Sequence, residues 1–149
     1  MGGNDDLVFD GGSGAIDSKG KVVLLCDEFN VDIRVVDSGK LYNNTPLDNS
    51  TVTVTEDSLS NVHKALVLGT KDYARKCGFQ RGLVGLSGGI DSSLVAVIGA
   101  EAFGAENMEA LLMPSPYSSE ASIVDAEILA QNLGISYQVV SIEPLLREY

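Results

Sequence analysis

The feature that most constrains the fold is a string of six residues in the middle of the chain: Ser87, Gly88, Gly89, Ile90, Asp91 and Ser92. The apolar run 82–86 precedes this string, and an apolar-rich run at 93–103 follows it. This order predicts a buried strand, a glycine-rich turn and the start of a helix in direct succession. Backbone N–H groups at a helix start lack partners within the helix and favour an anion. The string therefore predicts an anion site, most often one for phosphate.

The side chains of the string fit a nucleotide better than a simple anion. Gly88 and Gly89 adopt backbone angles closed to other residues and let a ligand approach the main chain. Hydroxyl donors come from three side chains: Ser87, Ser92 and Ser93. The carboxylate of Asp91 would repel phosphates unless a divalent cation lay between them. We therefore expect Mg²⁺ to bind together with the nucleotide.

Two common phosphate loops do not match the string. A Walker A loop ends in Gly-Lys-Ser/Thr, and no lysine occurs between residues 82 and 149. The spacing of the glycines also fails the GxGxxG dinucleotide pattern. A glycine turn that joins a buried strand to a helix, with serines as caps, is the remaining structural alternative.

The string resembles the SGGxDS loop of the N-type ATP pyrophosphatases, which bind the leaving pyrophosphate there and split ATP into AMP and pyrophosphate. Segments 65–79, 113–120, 125–134 and 142–144 are similar to the glutamine-dependent NAD⁺ synthetases within this group. Segments 2–13 and 17–22 are similar to the closing strands of that family's nitrilase-like glutaminase domain. The resemblance thus covers nearly the whole chain.

The resemblance implies an α/β fold in two parts. Residues 1–55 would be the antiparallel end of the nitrilase-like domain and a linker. Residues 56–149 would be the first strand–loop–helix units of a parallel-sheet ATP pyrophosphatase domain. Three strands with two crossovers are few for such a sheet, so we expect an internal fragment, with exposed sheet edges and apolar helix faces near the C-terminus.

The residue patterns predict the elements of both parts. The first half alternates like antiparallel sheet, with strands at 7–9, 13–16, 21–25 and 31–36 and a turn at 17–20. Residues 37–50 have linker composition, and 51–55 form a short β-prone run. The predicted helices are 57–77, 93–103 and one from Ser118 or Ser119 to Gly134; the predicted parallel strands are 82–86, 109–113 and 135–141.

The resemblance also assigns roles to particular residues. It places Asp91 at a Mg²⁺ ligand position, and Leu112 and Met113 where the family contacts adenosine, largely through main chain. The implied ATP and pyrophosphate contacts are Ser87, Gly88, Gly89, Ile90, Asp91, Ser92, Ser93, Leu112 and Met113. No complete catalytic set is expected in this chain, because the glutaminase nucleophile, the catalytic lysines and a second acidic metal ligand match no position here.

The implied reaction is the amidation of deamido-NAD⁺. Its nicotinate carboxylate attacks the α-phosphate of ATP, pyrophosphate leaves, and ammonia from glutamine converts the acyl-adenylate into NAD⁺ and AMP. The implied ligands are ATP, Mg²⁺, deamido-NAD⁺ and glutamine or ammonia, and the implied assembly is a homo-oligomer. The alternatives are another N-type ATP pyrophosphatase, such as a GMP synthetase or a tRNA-modifying enzyme, or a non-catalytic nucleotide-binding fragment. We expect the isolated chain to be inactive.

Charge narrows the range of partners. The chain has 10 Lys and Arg residues against 21 Asp and Glu residues, a net charge of −11. This balance argues against nucleic acid and anionic membrane surfaces. Between residues 82 and 149 the only basic residue is Arg147. One arginine and a helix dipole worth about half a charge cannot balance a triphosphate, so further cations are needed.

Several other reactive side chains are interpreted as packing or surface residues with no role in catalysis. Cys26 and Cys77 match neither a zinc pattern nor a disulfide framework, which favours a reducing, cytoplasmic setting. His63, the only histidine, has no second ligand at metal spacing and is predicted to lie on the surface. Asp125 and Glu127 point to different sides of a helix, so we expect both to be exposed to solvent.

Overall fold

The computed structural model describes residues 1–4, 6–42 and 58–148. The chain divides into two compact units, 1–69 and 70–149. The predicted domain boundary near residue 55 and the β-prone run at 51–55 lie outside the described residues, so both stay predictions. The elements in chain order are β1 (Gly2–Asn4), β2 (Leu7–Phe9), β3 (Gly14–Ile16), β4 (Val22–Leu25), α1 (Ser38–Tyr42), α2 (Ser58–Cys77), β5 (Gly82–Gly85), α3 (Ile90–Phe103), β6 (Met108–Leu112), α4 (Glu120–Leu133), β7 (Ser136–Val139) and α5 (Glu143–Arg147).

The first unit contains two antiparallel hairpins. The alternating pattern predicted antiparallel strands here, but it did not predict β1. β1 pairs with β2, and β3 pairs with β4. The predicted turn at 17–20 joins β3 to β4. Its geometry depends on Asp17, whose Oδ1 accepts hydrogen bonds from the N–H groups of Lys19 and Lys21, each at 2.9 Å. This pattern is that of an Asx turn, in which the carboxylate replaces a backbone acceptor.

These two hydrogen bonds predict a lowered pKa for the carboxyl of Asp17. The N–H of Lys21 is the largest cause, and it lowers the pKa of the Asp17 carboxyl from its ordinary value. The carboxylate thus stabilises the hairpin above the pKa of an unfolded Asp, and this contribution disappears as the pH falls through the lower folded pKa. An NMR titration of the carboxyl carbon should show the lowered pKa. A value at or above that of an unfolded Asp would contradict the turn geometry.

The predicted strand at 31–36 is wrong. This segment forms no strand, and Val35 is 97% exposed. Its β-branched residues favour extended backbone, but no described strand pairs with it. Asp32 instead forms an ion pair with Arg34 at 2.9 Å, and its Oδ2 accepts from the N–H of Asp27 at 3.0 Å. The linker prediction for 37–50 also missed the short helix α1.

The second unit contains the predicted parallel sheet. Its strand order is β5-β6-β7, with both pairings parallel. β6 lies in the centre because it pairs with β5 from Met108 to Leu111 and with β7 from Glu109 to Leu112. α3 and α4 form the two crossovers. The carboxyl ends of the strands meet at one edge, so the segments after β5 and β6 lie beside each other.

The core of the second unit combines alanines with larger apolar side chains such as Leu86 and Met108. Ala96, Ala110 and Ala130 are completely buried. Leu112 is the largest fully buried side chain among the described residues. The apolar pattern of α3 predicts that Leu94, Val95, Val97 and Ile98 are buried. Leu94 and Val95 are instead at least half exposed, and Val97 and Ile98 are half-buried. The reason is that Ala96, Gly99 and Ala102 form the buried face of α3. Small residues let a helix approach a sheet closely, whereas larger ones point away.

Both ends of α4 match the predicted caps. Ser119 is the N-cap, and its Oγ accepts the N–H of Ser122 at 3.1 Å. Gly134 ends the helix in the left-handed conformation, with φ of +69°. Gly78 and Gly104, at the ends of α2 and α3, also have positive φ values. Local capping signals therefore fix the helix limits.

Replacing Ser119 with alanine should destabilise α4. Loss of the side-chain acceptor leaves an N–H of the first turn unpaired and costs about 1 kcal/mol. Native-state hydrogen exchange should report this as faster exchange at the start of α4. Ser119→Asn is the control, because asparagine is an equally good cap; equal exchange in Ser119→Ala and the native chain would argue against the cap.

The predicted exposure of apolar residues near the C-terminus is confirmed. Val139, Val140, Leu145 and Leu146 are all at least 46% exposed. The spacing of apolar residues in α2 predicts a stripe of Leu59, Val62, Leu66, Gly69 and Tyr73. The four large side chains of this stripe are exposed, and Ala74 is the buried residue of the helix. Across the described ranges, every helix is too short or too polar to cross a lipid bilayer.

Candidate functional site

The residues 87–92, called here the glycine loop, connect β5 to α3 at the carboxyl edge of the sheet. The N–H of Leu86 donates to the carbonyl of Leu111 at 3.0 Å and extends the β5–β6 pairing up to the loop. α3 begins at Ile90, three residues earlier than predicted. Its N-cap is Gly89, which has no side chain to cap the helix. Strand, turn and helix start thus follow one another directly, as the sequence indicated.

The start of α3 offers open hydrogen-bond donors. The first helical bond runs from the N–H of Ser93 to the carbonyl of Gly89, at 3.1 Å. Among the described residues, no group accepts from the N–H of Ile90, Asp91 or Ser92. Such donors, at the positive end of a helix dipole, favour an anion. The predicted order of strand, turn and helix start is confirmed, and binding of an anion at this point stays a prediction.

The hydroxyl groups of the loop bind the loop itself. Ser92 Oγ donates to the carbonyl of Gly89 at 3.0 Å and accepts the N–H of Ser87 at 3.2 Å. Since Ser92 uses its single proton in that way, Ser87 is the donor in the 3.0 Å contact between the two Oγ atoms. The N–H of Gly89 donates to Ser87 Oγ at 3.3 Å and closes a ring. Hydroxyl contacts to a phosphate would therefore require these side chains to rotate.

Ser93 has the clearest structural role of the three serines. Its Oγ donates to the carbonyl of Gly89 at 2.8 Å, four residues back. Serine commonly bonds this carbonyl in a helix. Ser93 therefore holds the first turn of α3, and its role in binding phosphate stays a prediction.

Gly88 is the residue that most needs to be glycine. Its φ is +80°, a conformation that L side chains rarely adopt. A Cβ at this position would lie 2.2 Å from the carbonyl oxygen of Ser122 in α4. Gly89 differs, because its φ is −81° and a Cβ there would meet only Ser87 Oγ, at 3.4 Å. The backbone of the loop thus packs directly against the backbone of α4 at Gly88.

Asp91 lies exposed in the first turn of α3, beside the open N–H groups. The described residues contain no group of three or more His, Cys, Asp or Glu side chains placed to hold a metal ion. A single carboxylate nevertheless fits Mg²⁺, which proteins often bind through one or two carboxylates and the phosphates of the substrate. Ile90, between Gly89 and Asp91, is 81% exposed.

The two residues predicted to contact adenosine lie in different environments. The side chain of Leu112 is in the core at 2% exposure, and its carbonyl accepts the N–H of Val140 at 2.8 Å. Met113 is 46% exposed and follows the end of β6. Of the pair, Met113 is the residue whose side chain is available to a ligand, and the adenosine contact stays a prediction for both.

The remaining reactive side chains lie apart from the glycine loop in sequence and form no metal cluster among the described residues. Cys26 is half-buried and Cys77 exposed, and both are free thiols. His63 is half-buried, so it keeps the partial exposure of a surface residue. Asp125 is exposed as expected, whereas Glu127 is half-buried. The sequence reasoning missed Ser122, since no local pattern signals that a carbonyl on α4 will contact a glycine 34 positions earlier.

Comparison with known proteins shows to which protein family the chain is similar. The family model described as NAD synthase matches residues 62–149. A relative from Synechocystis, named glutamine-dependent NAD(+) synthetase, is 48% identical over 153 residues, which cover 100% of this chain and 26% of the relative. The chain spans between 26% and 31% of the length of the relatives from Synechocystis, Thermotoga maritima and Aquifex aeolicus.

Solved structures agree with this match. A glutamine-dependent NAD⁺ synthetase from Acinetobacter baumannii, solved with ADP, has a TM-score of 0.85 at 32% identity and is matched over 99% of this chain and 28% of that one. An NMN synthetase from Francisella tularensis has a TM-score of 0.58 at 28% identity, over 62% of this chain and 38% of that one. The expected resemblance and the α/β fold are therefore confirmed. With a family model that covers more than half of its length, this chain belongs to the NAD synthase family.

Proposed function

We propose that this chain is part of a ligase that converts deamido-NAD⁺ to NAD⁺ with ATP and glutamine-derived ammonia. The reaction passes through an acyl-adenylate and releases AMP and pyrophosphate. The observation that supports it best is the open start of α3, where three N–H groups and the Asp91 carboxylate lie together. Membership of the NAD synthase family supports the choice of reaction.

In this proposal the glycine loop holds the phosphates that leave as pyrophosphate. The N–H groups of Ile90, Asp91 and Ser92 donate to phosphate oxygens. They are oriented by α3 before the reaction, so they stabilise growing negative charge without having to reorganise. Asp91 would hold Mg²⁺, which would neutralise part of the phosphate charge. Met113 lies at the end of the neighbouring strand, where the adenosine would be placed.

The segment that carries the glycine loop, residues 82–148, does not supply enough positive charge to balance a triphosphate. Between residues 82 and 148 the only cationic side chain is Arg147, and it is paired with Glu143. Catalytic cations, the acceptor site and the glutaminase centre therefore belong to other parts of the longer enzyme. We expect that enzyme to be a cytoplasmic homo-oligomer, consistent with the free thiols of Cys26 and Cys77.

The 149-residue chain alone should release no pyrophosphate from Mg·ATP above the uncatalysed rate. Residues 82–149, which contain the glycine loop, have a single cationic side chain with which to stabilise the transition state, and the apolar C-terminal faces are exposed. A coupled pyrophosphate assay on the isolated chain and on the complete enzyme checks this. Release by the isolated chain that depended on deamido-NAD⁺ would contradict the expected division of the site.

Transfer of the amide nitrogen tests the whole reaction. The complete enzyme is incubated with Mg·ATP, deamido-NAD⁺ and glutamine whose amide nitrogen is isotopically labelled, and the NAD⁺ is analysed by mass spectrometry. The proposal predicts that the label appears in the nicotinamide amide and that AMP forms in equal amount. Labelled ammonia without labelled NAD⁺ would show a glutaminase with a different acceptor.

The similarity to an NMN synthetase supports a second candidate for the substrate that accepts the adenylyl group. The glycine loop recognises ATP, not the acceptor, so the loop cannot distinguish a dinucleotide from a mononucleotide. Nicotinate mononucleotide is therefore the competing acceptor to include beside deamido-NAD⁺. Conversion of the mononucleotide alone would change the substrate and leave the ATP chemistry as proposed.

A further inference from the structure

We infer that the first turn of α4, fixed by Ser119 and Ser122, positions the glycine loop for Mg·ATP. This inference rests on the proposed function only through its ATP-binding step. Ser119 and Ser122 are positioning residues: they act on the nucleotide through Gly88 and do not touch it themselves. Both residues and the loop lie within the same compact unit, 70–149.

The contact between the loop and α4 leaves no room for adjustment. A Cβ at Gly88 would lie 2.2 Å from the carbonyl oxygen of Ser122, 2.9 Å from its carbonyl carbon and 3.0 Å from its Cα. These atoms belong to backbone, so no side-chain rotation can relieve the approach. A shift of the α4 start therefore moves the support of the glycine loop.

The first turn of α4 is fixed by its own hydroxyl groups. Ser119 Oγ accepts the N–H of Ser122 at 3.1 Å, and the two Oγ atoms lie 2.7 Å apart. The N-cap thus bonds the residue whose carbonyl contacts Gly88. Loss of the cap should let the first turn open and move that carbonyl.

The open donors follow Gly88 closely in sequence. Gly89 comes next, and the unpaired N–H groups of Ile90 and Asp91 follow it. Hydrogen bonds weaken steeply as their angle departs from linear, so a small displacement at Gly88 reduces several phosphate contacts together. The position of α4 is thereby linked to affinity for the nucleotide.

Two asparagine substitutions in the complete enzyme separate the contact from the backbone angle. Asparagine tolerates positive φ better than most residues. At Gly134, where φ is +69° and the nearest atom to a Cβ would be Ala105 Cβ at 4.0 Å, Gly134→Asn should change the Kd for Mg·ATP less than about 2-fold. At Gly88 the angle is similar but the space is filled, so Gly88→Asn should raise the Kd at least about 30-fold.

Hydrogen exchange without nucleotide distinguishes this contact from simple obstruction of the phosphate. Gly88→Asn should speed exchange of the Ser122 amide at least about 10-fold, because the added Cβ displaces the first turn of α4. A side chain that merely obstructed the phosphate would leave that amide unchanged. Unchanged exchange at Ser122 would overturn the inference even if nucleotide affinity fell.

Substitutions at Ser119, in α4, also test whether the first turn of α4 controls the affinity of the glycine loop for Mg·ATP. Ser119→Ala should raise the KM for Mg·ATP about 5-fold, leave the KM for glutamine unchanged, and be rescued to within about 2-fold by Ser119→Asn. Assays well below the unfolding temperature separate this effect from general instability. A KM for Mg·ATP in Ser119→Ala equal to that of the native enzyme would overturn the inference.

The proposed function can fail independently of this inference. If the variants shift Mg·ATP affinity as expected but pyrophosphate release ignores deamido-NAD⁺, the acceptor is wrong and the role of α4 stands. If the native enzyme binds no Mg·ATP, both are wrong. If it makes NAD⁺ and the variants match it in Mg·ATP affinity, the inference alone is wrong.

Discussion

Replacing Asp91 with alanine in the complete enzyme should lower Mg²⁺-dependent pyrophosphate release about 10³-fold, since a bound metal supplies several kcal/mol of charge stabilisation. Asp91 is exposed beside the open N–H groups of α3, and the described residues contain no cluster of three or more His, Cys, Asp or Glu side chains placed to hold the metal in its stead. Glutamine hydrolysis should continue, because the proposed function assigns that chemistry to a different domain. Parallel assays of pyrophosphate and ammonia release measure the two activities.

Two further variants make this test specific. Asp91→Asn keeps the size of the side chain and removes its charge, so it should lose nearly as much activity as Asp91→Ala. Asp125→Ala removes an exposed helical carboxylate outside the proposed site and should leave both activities close to native. Equal loss of both activities in a folded Asp91→Ala enzyme would contradict separate sites.

Replacing Leu112 with alanine should destabilise the second unit by about 3 kcal/mol. Its side chain is 2% exposed and packs in a buried cluster that includes Val84 and Leu86, so its removal leaves a cavity in the core. Native-state hydrogen exchange of the complete enzyme is the appropriate measurement, because a multidomain protein has no single unfolding free energy. The opening free energy of amides in β6 should fall by about that amount.

Met113→Ala is the matched variant at the adjacent position. Its side chain is 46% exposed, so its removal should change the opening free energy by less than about 1 kcal/mol. If Met113 contacts adenosine, the variant should instead raise the KM for Mg·ATP. A larger loss of stability in Met113→Ala than in Leu112→Ala would contradict the placement of both side chains.

Local signals predicted the part of the fold that matters for the site. The glycine loop lies between β5 and α3 because its glycines interrupt the strand, and the helix begins directly after Gly89. Ser119 and Gly134 marked the limits of α4 because capping depends on residues near in sequence. The parallel order of β5, β6 and β7 followed from the alternation of strand and helix.

Features that depend on distant contacts could not be predicted. The β-branched residues at 31–36 favour a strand, but a strand also needs a pairing partner. Leu94 and Val95 are hydrophobic, yet α3 packs through Ala96 and Gly99, since close approach to the sheet excludes larger side chains. The glycine at position 88 was expected to serve the ligand, whereas its backbone contact with Ser122 depends on where α4 lies.

Pyrophosphate release from Mg·ATP by the complete enzyme, measured with no acceptor, with deamido-NAD⁺ and with nicotinate mononucleotide, is the most direct test of the proposed reaction. Pyrophosphate release should require deamido-NAD⁺, match AMP formation and be lost in Asp91→Ala. Release that did not depend on deamido-NAD⁺, or that survived in Asp91→Ala, would contradict the proposed reaction.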